Sequence, residues 1–362
     1  MDLISILIGL ALSVTGLVSF IHVNLVLEFT KHLPLADVGL FAVVLTFARL
    51  PFEILAFTAF GGFNELTSIS KTSAQVQNFK TLLKQSLLAC AFAILLFPAS
   101  TFVLPLIWGE IKQYTALITG FLFLVISFKY FKKNALETLV VIGLASACGI
   151  LALNSLSSDG LFPLLTGLYA IPALVIAGNE VTRKKEEKFD AKISLAGALA
   201  ALFSSLLPAV GPALVAIIAS GFFSIETLAF QSLVFSIYAS RTVFDFTNIY
   251  TIQKARSSAA TLLPVNISYD QILLLVLAAF VCLLVTGFIA SWISGKVKLN
   301  LENFKTKIAI TGLIVVAVIL QTESFGLLVL LTSGAVGIYA AKCDNRLLLG
   351  VSLIAPLLAL VF

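Results

Sequence analysis

Charge is scarce in this sequence, and so are the side chains that do metal or redox chemistry. Charged residues make up 11% of 362, with two histidines, four cysteines and one methionine. A soluble domain carries roughly 25% charge, so a water-soluble enzyme is a poor reading. Cys90, Cys148, Cys282 and Cys343 stand far apart, with no CxxC or Cys/His spacing. That argues against a disulfide framework or a metal centre and leaves them as small buried hydrophobes. No His-Glu-x-x-His, Gly-x-Ser-x-Gly or paired-aspartate motif falls in a span centre, so we expect no enzyme, catalytic residues, metal or cofactor. The N-terminal apolar stretch has no basic n-region or small-residue cleavage site and is not read as a removable signal. The net charge of +5 lies in short loops between apolar stretches. The positive-inside rule explains it, and no nucleic-acid partner is expected.

Apolar residues, by contrast, make up 60% of the chain, and 30 of them are phenylalanine. Apolar stretches recur at 86–108, 115–128, 138–153, 161–177, 272–292, 308–320, 327–341 and 347–362. Their lengths suit helices crossing a hydrocarbon core of roughly 30 Å, the shorter ones with tilt or local thinning. The expectation is an all-α polytopic membrane protein with about ten spans, surrounded by lipid, in the plasma membrane of a prokaryote.

A shift of about 190 residues lays the second half of the chain on the first. Residues 16–24 fall on 205–213, 118–120 on 310–312 and 147–150 on 335–338, while Pro172 meets Pro356. Arg49 with Glu53 falls on Arg241 with Asp245; the chain has only five arginines, and two stand in this match. The domains predicted are a first repeat over 1–178, a charged cytoplasmic linker over 179–192, and a second repeat over 193–362. Each repeat would begin with an interrupted apolar segment, 3–27 or 194–221, followed by about five spans. If both interrupted segments are re-entrant hairpins, most lysine-rich loops sort to the cytoplasm. These hold Lys71, Lys80 and Lys84; Lys129, Lys132 and Lys133; Arg183 to Lys188; Lys296 to Lys307; and Lys342 with Arg346. Lys31, Lys112, Lys254 and Arg256 are the exceptions. Five spans per repeat is odd, so the second repeat is expected to be inverted, with both termini outside.

Non-helical backbone at membrane depth is tolerated only where protein buries it or a wet cavity receives it. Two inverted copies would bring the interruptions together near the midplane, where helix N-termini favour an anion. The candidate substrate-binding residues there are Ser19, His22 and Asn24 in the first tip, and Pro208, Val210, Gly211 and Pro212 in the second. Helix kinks or close packing would also account for these glycines and prolines. The charges deepest in apolar sequence are Arg49 with Glu53 and Arg241 with Asp245. Their i, i+4 spacing lets each pair neutralise itself. It equally allows the arginines to meet an anionic substrate and Glu53 and Asp245 to couple an ion.

These residues carry a resemblance to the large membrane subunit of the tripartite tricarboxylate transporters, and more closely to its shorter archaeal relatives. Residues 16–24 are similar to that family's Gly-x-x-Pro-Gly-Ile-His-x-Asn motif, and 206–212 to its Leu-Leu-Pro-Gly-Val-Gly-Pro motif. Residues 161–172 and 239–260 resemble two further blocks, and 45–67 is a looser match. Ser19 and Phe20 replace the family's Pro-Gly, and Ala209 replaces a glycine. The resemblance implies an inverted-repeat carrier for organic anions driven by an ion gradient. For bacterial members it also implies a small membrane subunit and a soluble binding protein, to which nothing in this chain points; a homo-oligomer stays open. The function expected is therefore secondary transport of a small carboxylate. The alternative is translocation of a phosphate-headed lipid carrier such as polyprenyl phosphate, whose carriers use similar Pro-Gly tips.

Overall fold

The computed structural model describes residues 38–60, 75–156, 160–176, 183–185, 189–207, 210–222, 227–254, 260–263, 266–296 and 304–359. The first interrupted segment, with Ser19, His22 and Asn24, lies outside the described residues, as does Pro208.

Helices dominate, and their ends follow local chemistry. The first pair is α1 (Val38–Ala48) and α2 (Leu50–Phe60), parted at Arg49. Pro51 has no N–H to give the preceding turn, so the ladder weakens there without breaking the path of the chain. Next is α3 (Phe79–Ile111), capped by Asn78, whose side chain accepts from the Lys80 amide at 3.0 Å. A 3₁₀ turn at Lys112–Tyr114 joins it to α4 (Thr115–Phe131). Then come α5 (Ala135–Leu156), α6 (Leu161–Leu165), a π turn (Thr166–Ala170) and α7 (Ile171–Ile176). Asp190 caps α8 (Ala191–Ser204) by accepting from the Lys192 amide at 2.8 Å. The remaining helices are α9 (Pro212–Phe222), α10 (Thr227–Ile252), α11 (Tyr269–Lys296), α12 (Phe304–Lys342) and α13 (Val351–Ala359). Two three-residue strands, β1 (Gln75–Gln77) and β2 (Arg183–Lys185), pair in parallel with Gln75 opposite Arg183.

Four helical stretches are long and apolar enough to cross a membrane: Phe79–Phe128, Ala135–Leu156, Tyr269–Ser294 and Ile308–Lys342. In each, 39% or less of the most apolar window is buried inside the protein, so apolar side chains also face outward. On α11 the buried side is Ile272, Val276, Ala279, Leu283 and Ala290, while Leu274, Leu277, Val281, Leu284 and Phe288 point out. A helix apolar on every side belongs in lipid or a large core. This architecture is that of a multi-pass membrane protein.

Helix α12 is not one straight rod. Glu323 sits at φ 54°, ψ −150°, outside helical geometry. Just beyond it, a Cβ on Gly326 would touch both Thr322 and Val318. A continuous helix keeps a residue far from the one eight positions back, so the chain bends sharply at Glu323. Residues 308–320 and 327–341 are thus separate arms.

The two largest parts of the core each draw on both halves of the chain. The larger gathers α1, α2, α3 and α8 to α11 around residues such as Phe41, Phe57, Phe97, Phe235 and Phe244. The smaller gathers α4 to α6, the π turn, the second arm of α12 and α13, and beside it α7 packs against the first arm of α12. In the larger bundle α3 packs on α10, while α11 packs on α1 and α2. In and beside the smaller, α5 packs on α13, while α12 packs on α6, α7 and the π turn.

Candidate functional site

The deepest charges meet in the larger bundle. Arg49 Nε lies 3.5 Å from Glu53 Oε1, and Arg241 Nε lies 3.6 Å from Asp245 Oδ1. All four side chains are largely buried, the acids most of all. Each pair is one helical turn apart on its own helix, as the i, i+4 spacing dictates.

Contacts between helices then join the pairs to one another and to the helix break. Phe47 stacks on Phe246 with ring centroids 6.1 Å apart, and Phe57 meets Phe235 edge-on at 5.0 Å. Position numbers rise along one helix as they fall along the other, so α1 and α2 run antiparallel to α10. Across this seam Arg49 Nη2 donates to the Tyr238 hydroxyl (2.5 Å), and its guanidinium carbon lies 5.8 Å from the centre of that ring. Tyr238 stands three residues before Arg241, on the same face of α10.

Arg241 reaches the other way, donating from Nη1 to the backbone carbonyl of Val210. Val210 belongs to the break that parts α8 from α9. Asn248, fully buried on α10, donates from Nδ2 to the Ser205 carbonyl at 3.0 Å, where α8 ends. The last carbonyls of a helix lack internal partners, and α10 supplies donors across the interruption. On the far side the Val215 amide donates to the Gly211 carbonyl, and Pro212 occupies the first helical position, which needs no N–H.

Four of the residues expected to bind substrate therefore lie within one connected group: Arg49, Arg241, Val210 and, next to it, Gly211. Pro212 follows directly at the start of α9. The two acids expected to couple an ion, Glu53 and Asp245, pair with the two arginines. Ser19, His22, Asn24 and Pro208 fall outside the described residues, so the first tip is not placed.

Tyr238 and Asn248 were not singled out in the sequence, although a signal existed. Tyr238, Arg241, Asp245 and Asn248 follow 3-4-3 spacing, which is one face of a helix. A polar stripe on an apolar helix is the inverse of the usual amphipathic pattern. Recognising it requires asking which polar residues share a face, not only which are charged.

Arg49 Nε and both Glu53 carboxylate oxygens are buried with no hydrogen-bond partner among the described residues. A guanidinium offers five donors in a fork suited to an oxyanion, and here the fork is only partly used. Among the described residues, no group of three or more His, Cys, Asp or Glu side chains could hold a metal ion.

Compared with known protein families, with curated proteins and with solved structures, the chain has no match.

Proposed function

We propose that this protein is a secondary transporter for a small organic anion, carried between two inverted repeats in a prokaryotic plasma membrane. The observation that carries the reading is the bond from Arg241 to the Val210 carbonyl. It places one charge pair against an interrupted helix, and Tyr238 ties the other pair to the same helix, α10. Ionisable residues within membrane helices mark substrate and ion pathways, and inverted-repeat carriers form their substrate sites near the midplane from broken helices.

Several features support the duplicated, inverted plan. The order of helices repeats at the shift of about 190 residues that aligns the halves: α3 with α11, α4 and α5 with the two arms of α12, and α6–α7 with α13. Packing is reciprocal, since α3 lies on the counterpart of α2 and α11 lies on α2 itself. Counterpart helices α1–α2 and α10 run antiparallel, as inversion requires. Lys133, before α5, pairs with Asp344, before α13, at 3.1 Å, which sets two loops expected in the cytoplasm side by side. In the second repeat, α8 and α9 pack on each other and together on α10, as arms of a hairpin do. The motif resemblance to tricarboxylate carriers supplies the substrate class.

On this reading Arg49 and Arg241 bind the anion, and Glu53 and Asp245 take up the coupling ion when their arginines turn to substrate. The test is uptake of labelled carboxylates into proteoliposomes holding the full chain, with and without an imposed ion gradient. Gradient-dependent uptake supports the proposal. Flipping of a polyprenyl-phosphate lipid in the same vesicles, without carboxylate uptake, would reassign the cargo.

A further inference from the structure

The two charge pairs are related by the repeat, yet their neighbours differ. Counting three residues back from each arginine gives Thr46 in the first repeat and Tyr238 in the second. Thr46 Oγ1 donates to the Ala42 carbonyl of its own helix at 2.7 Å and, among the described residues, hydrogen-bonds no other helix. Tyr238 is long enough to cross the seam, and its hydroxyl accepts from Arg49 Nη2. One arginine is thus held by a side chain and the other by the backbone of the helix break. A phenolic oxygen is neutral and has a lone pair to offer, the role a carboxylate oxygen would fill more strongly. Meanwhile Nε of the same guanidinium is buried without a hydrogen bond among the described residues, although Glu53 lies 3.5 Å away.

We infer that Tyr238 is an affinity-setting latch: its hydroxyl occupies a donor of Arg49 in this state, and an anionic ligand must displace it to bind. The inference rests on the anion-binding reading above. It adds a positioning residue that the charges alone do not reveal, and it makes the two repeats inequivalent. Arg49 is the arginine released by ligand, because a side-chain hydroxyl swings aside by rotation. Arg241 keeps its Nη1 bond to a carbonyl that moves only with the backbone and meets the anion through its remaining donors.

Arginine modification by phenylglyoxal, read peptide by peptide with mass spectrometry, follows Arg49 separately from Arg241 in the intact protein in vesicles. Tyr238→Phe keeps the ring and removes the hydroxyl. Loss of one hydrogen bond to a charged group corresponds to roughly tenfold or more. Arg49 should be modified about that much faster in the variant, with Arg241 unchanged. Citrate should protect Arg49 in both proteins, at about tenfold lower concentration in Tyr238→Phe. If the phenylalanine variant does not accumulate, Tyr238→Leu gives the same readout.

An unchanged Arg49 rate would overturn the latch. Loss of citrate protection in Tyr238→Phe would overturn it too, because the hydroxyl would then bind ligand rather than compete with it. Protection by inorganic phosphate but not by citrate supports the latch and overturns the carboxylate assignment. Faster modification with protection by neither anion overturns displacement by ligand.

Discussion

Gly149 on α5 presses against the backbone of Ser352 on α13 so closely that a Cβ there would collide with the Ser352 carbonyl. Gly337 on α12 meets the Leu168 carbonyl in the same way. The sequence shift of about 190 residues lays Gly149 on Gly337, and Leu168 and Ser352 each stand four residues before a proline, Pro172 or Pro356, that the shift also brings together. Under the proposed duplication, each repeat would lend a glycine to a helix of the other. Small residues at such crossings let membrane helices approach until their backbones touch.

Replacing either glycine with alanine should destabilise the fold by about 1–3 kcal/mol, because backbone cannot move aside as a side chain can. Gly143 lies on the same helix as Gly149 with nothing near its missing Cβ. Gly143→Ala should be neutral or stabilising by up to about 1 kcal/mol. Thermal loss of the monodisperse protein in detergent ranks the three variants. Equal behaviour of Gly143→Ala and Gly149→Ala would contradict the close crossing.

The charge pairs separate structure from function. Glu53→Gln or Asp245→Asn alone leaves a buried arginine uncompensated and should cost about 3–5 kcal/mol. Exchanging both members of a pair for apolar residues of similar volume should restore stability. If the pairs bind and couple, the double variants fold but do not transport. A fully active Arg49/Glu53 double variant would assign that pair to structure. Uptake measured against pH, normalised to folded protein, should lose its pH dependence when the coupling acid is replaced.

Asn248 should behave as the clasp of the second helix break. Asn248→Ala strands the buried Ser205 carbonyl at a cost of about 1–3 kcal/mol. Single cysteines at Ser204 and Leu207 should then react faster with a thiol reagent in the variant than in the parent. Identical rates would mean that the break is held by other contacts.

Topology is open to cysteine labelling in a cysteine-free background. Lys133→Cys and Asp344→Cys should label from the same side of the membrane, since those residues form a salt bridge. Glu323→Cys, at the bend in α12, should label from the opposite side. Labelling of all three from one side would exclude the inverted plan.

The membrane class was legible in the sequence because scarcity of charge and recurrent apolar runs are properties of composition. The break between α8 and α9 was legible as well, since Pro212 and Gly211 interrupt an apolar helix whatever surrounds them. So were the two ion pairs, because i, i+4 spacing fixes their geometry within one helix. The sequence predicts separate spans over 86–108 and 115–128, whereas their helices follow one another through a 3₁₀ turn at Lys112–Tyr114 within one apolar helical stretch, Phe79–Phe128.

Contacts between distant segments lay beyond any local pattern. Nothing in the spacing of Arg49 says that it finds Tyr238, 189 positions away, or that Arg241 turns to Val210. Those partners depend on α1–α2 and α10 running antiparallel, a direction set by how ring and backbone surfaces pack. The apolar pattern fixes that a helix enters lipid; only tertiary packing, which orients long side chains across a seam, decides which buried arginine meets which oxygen.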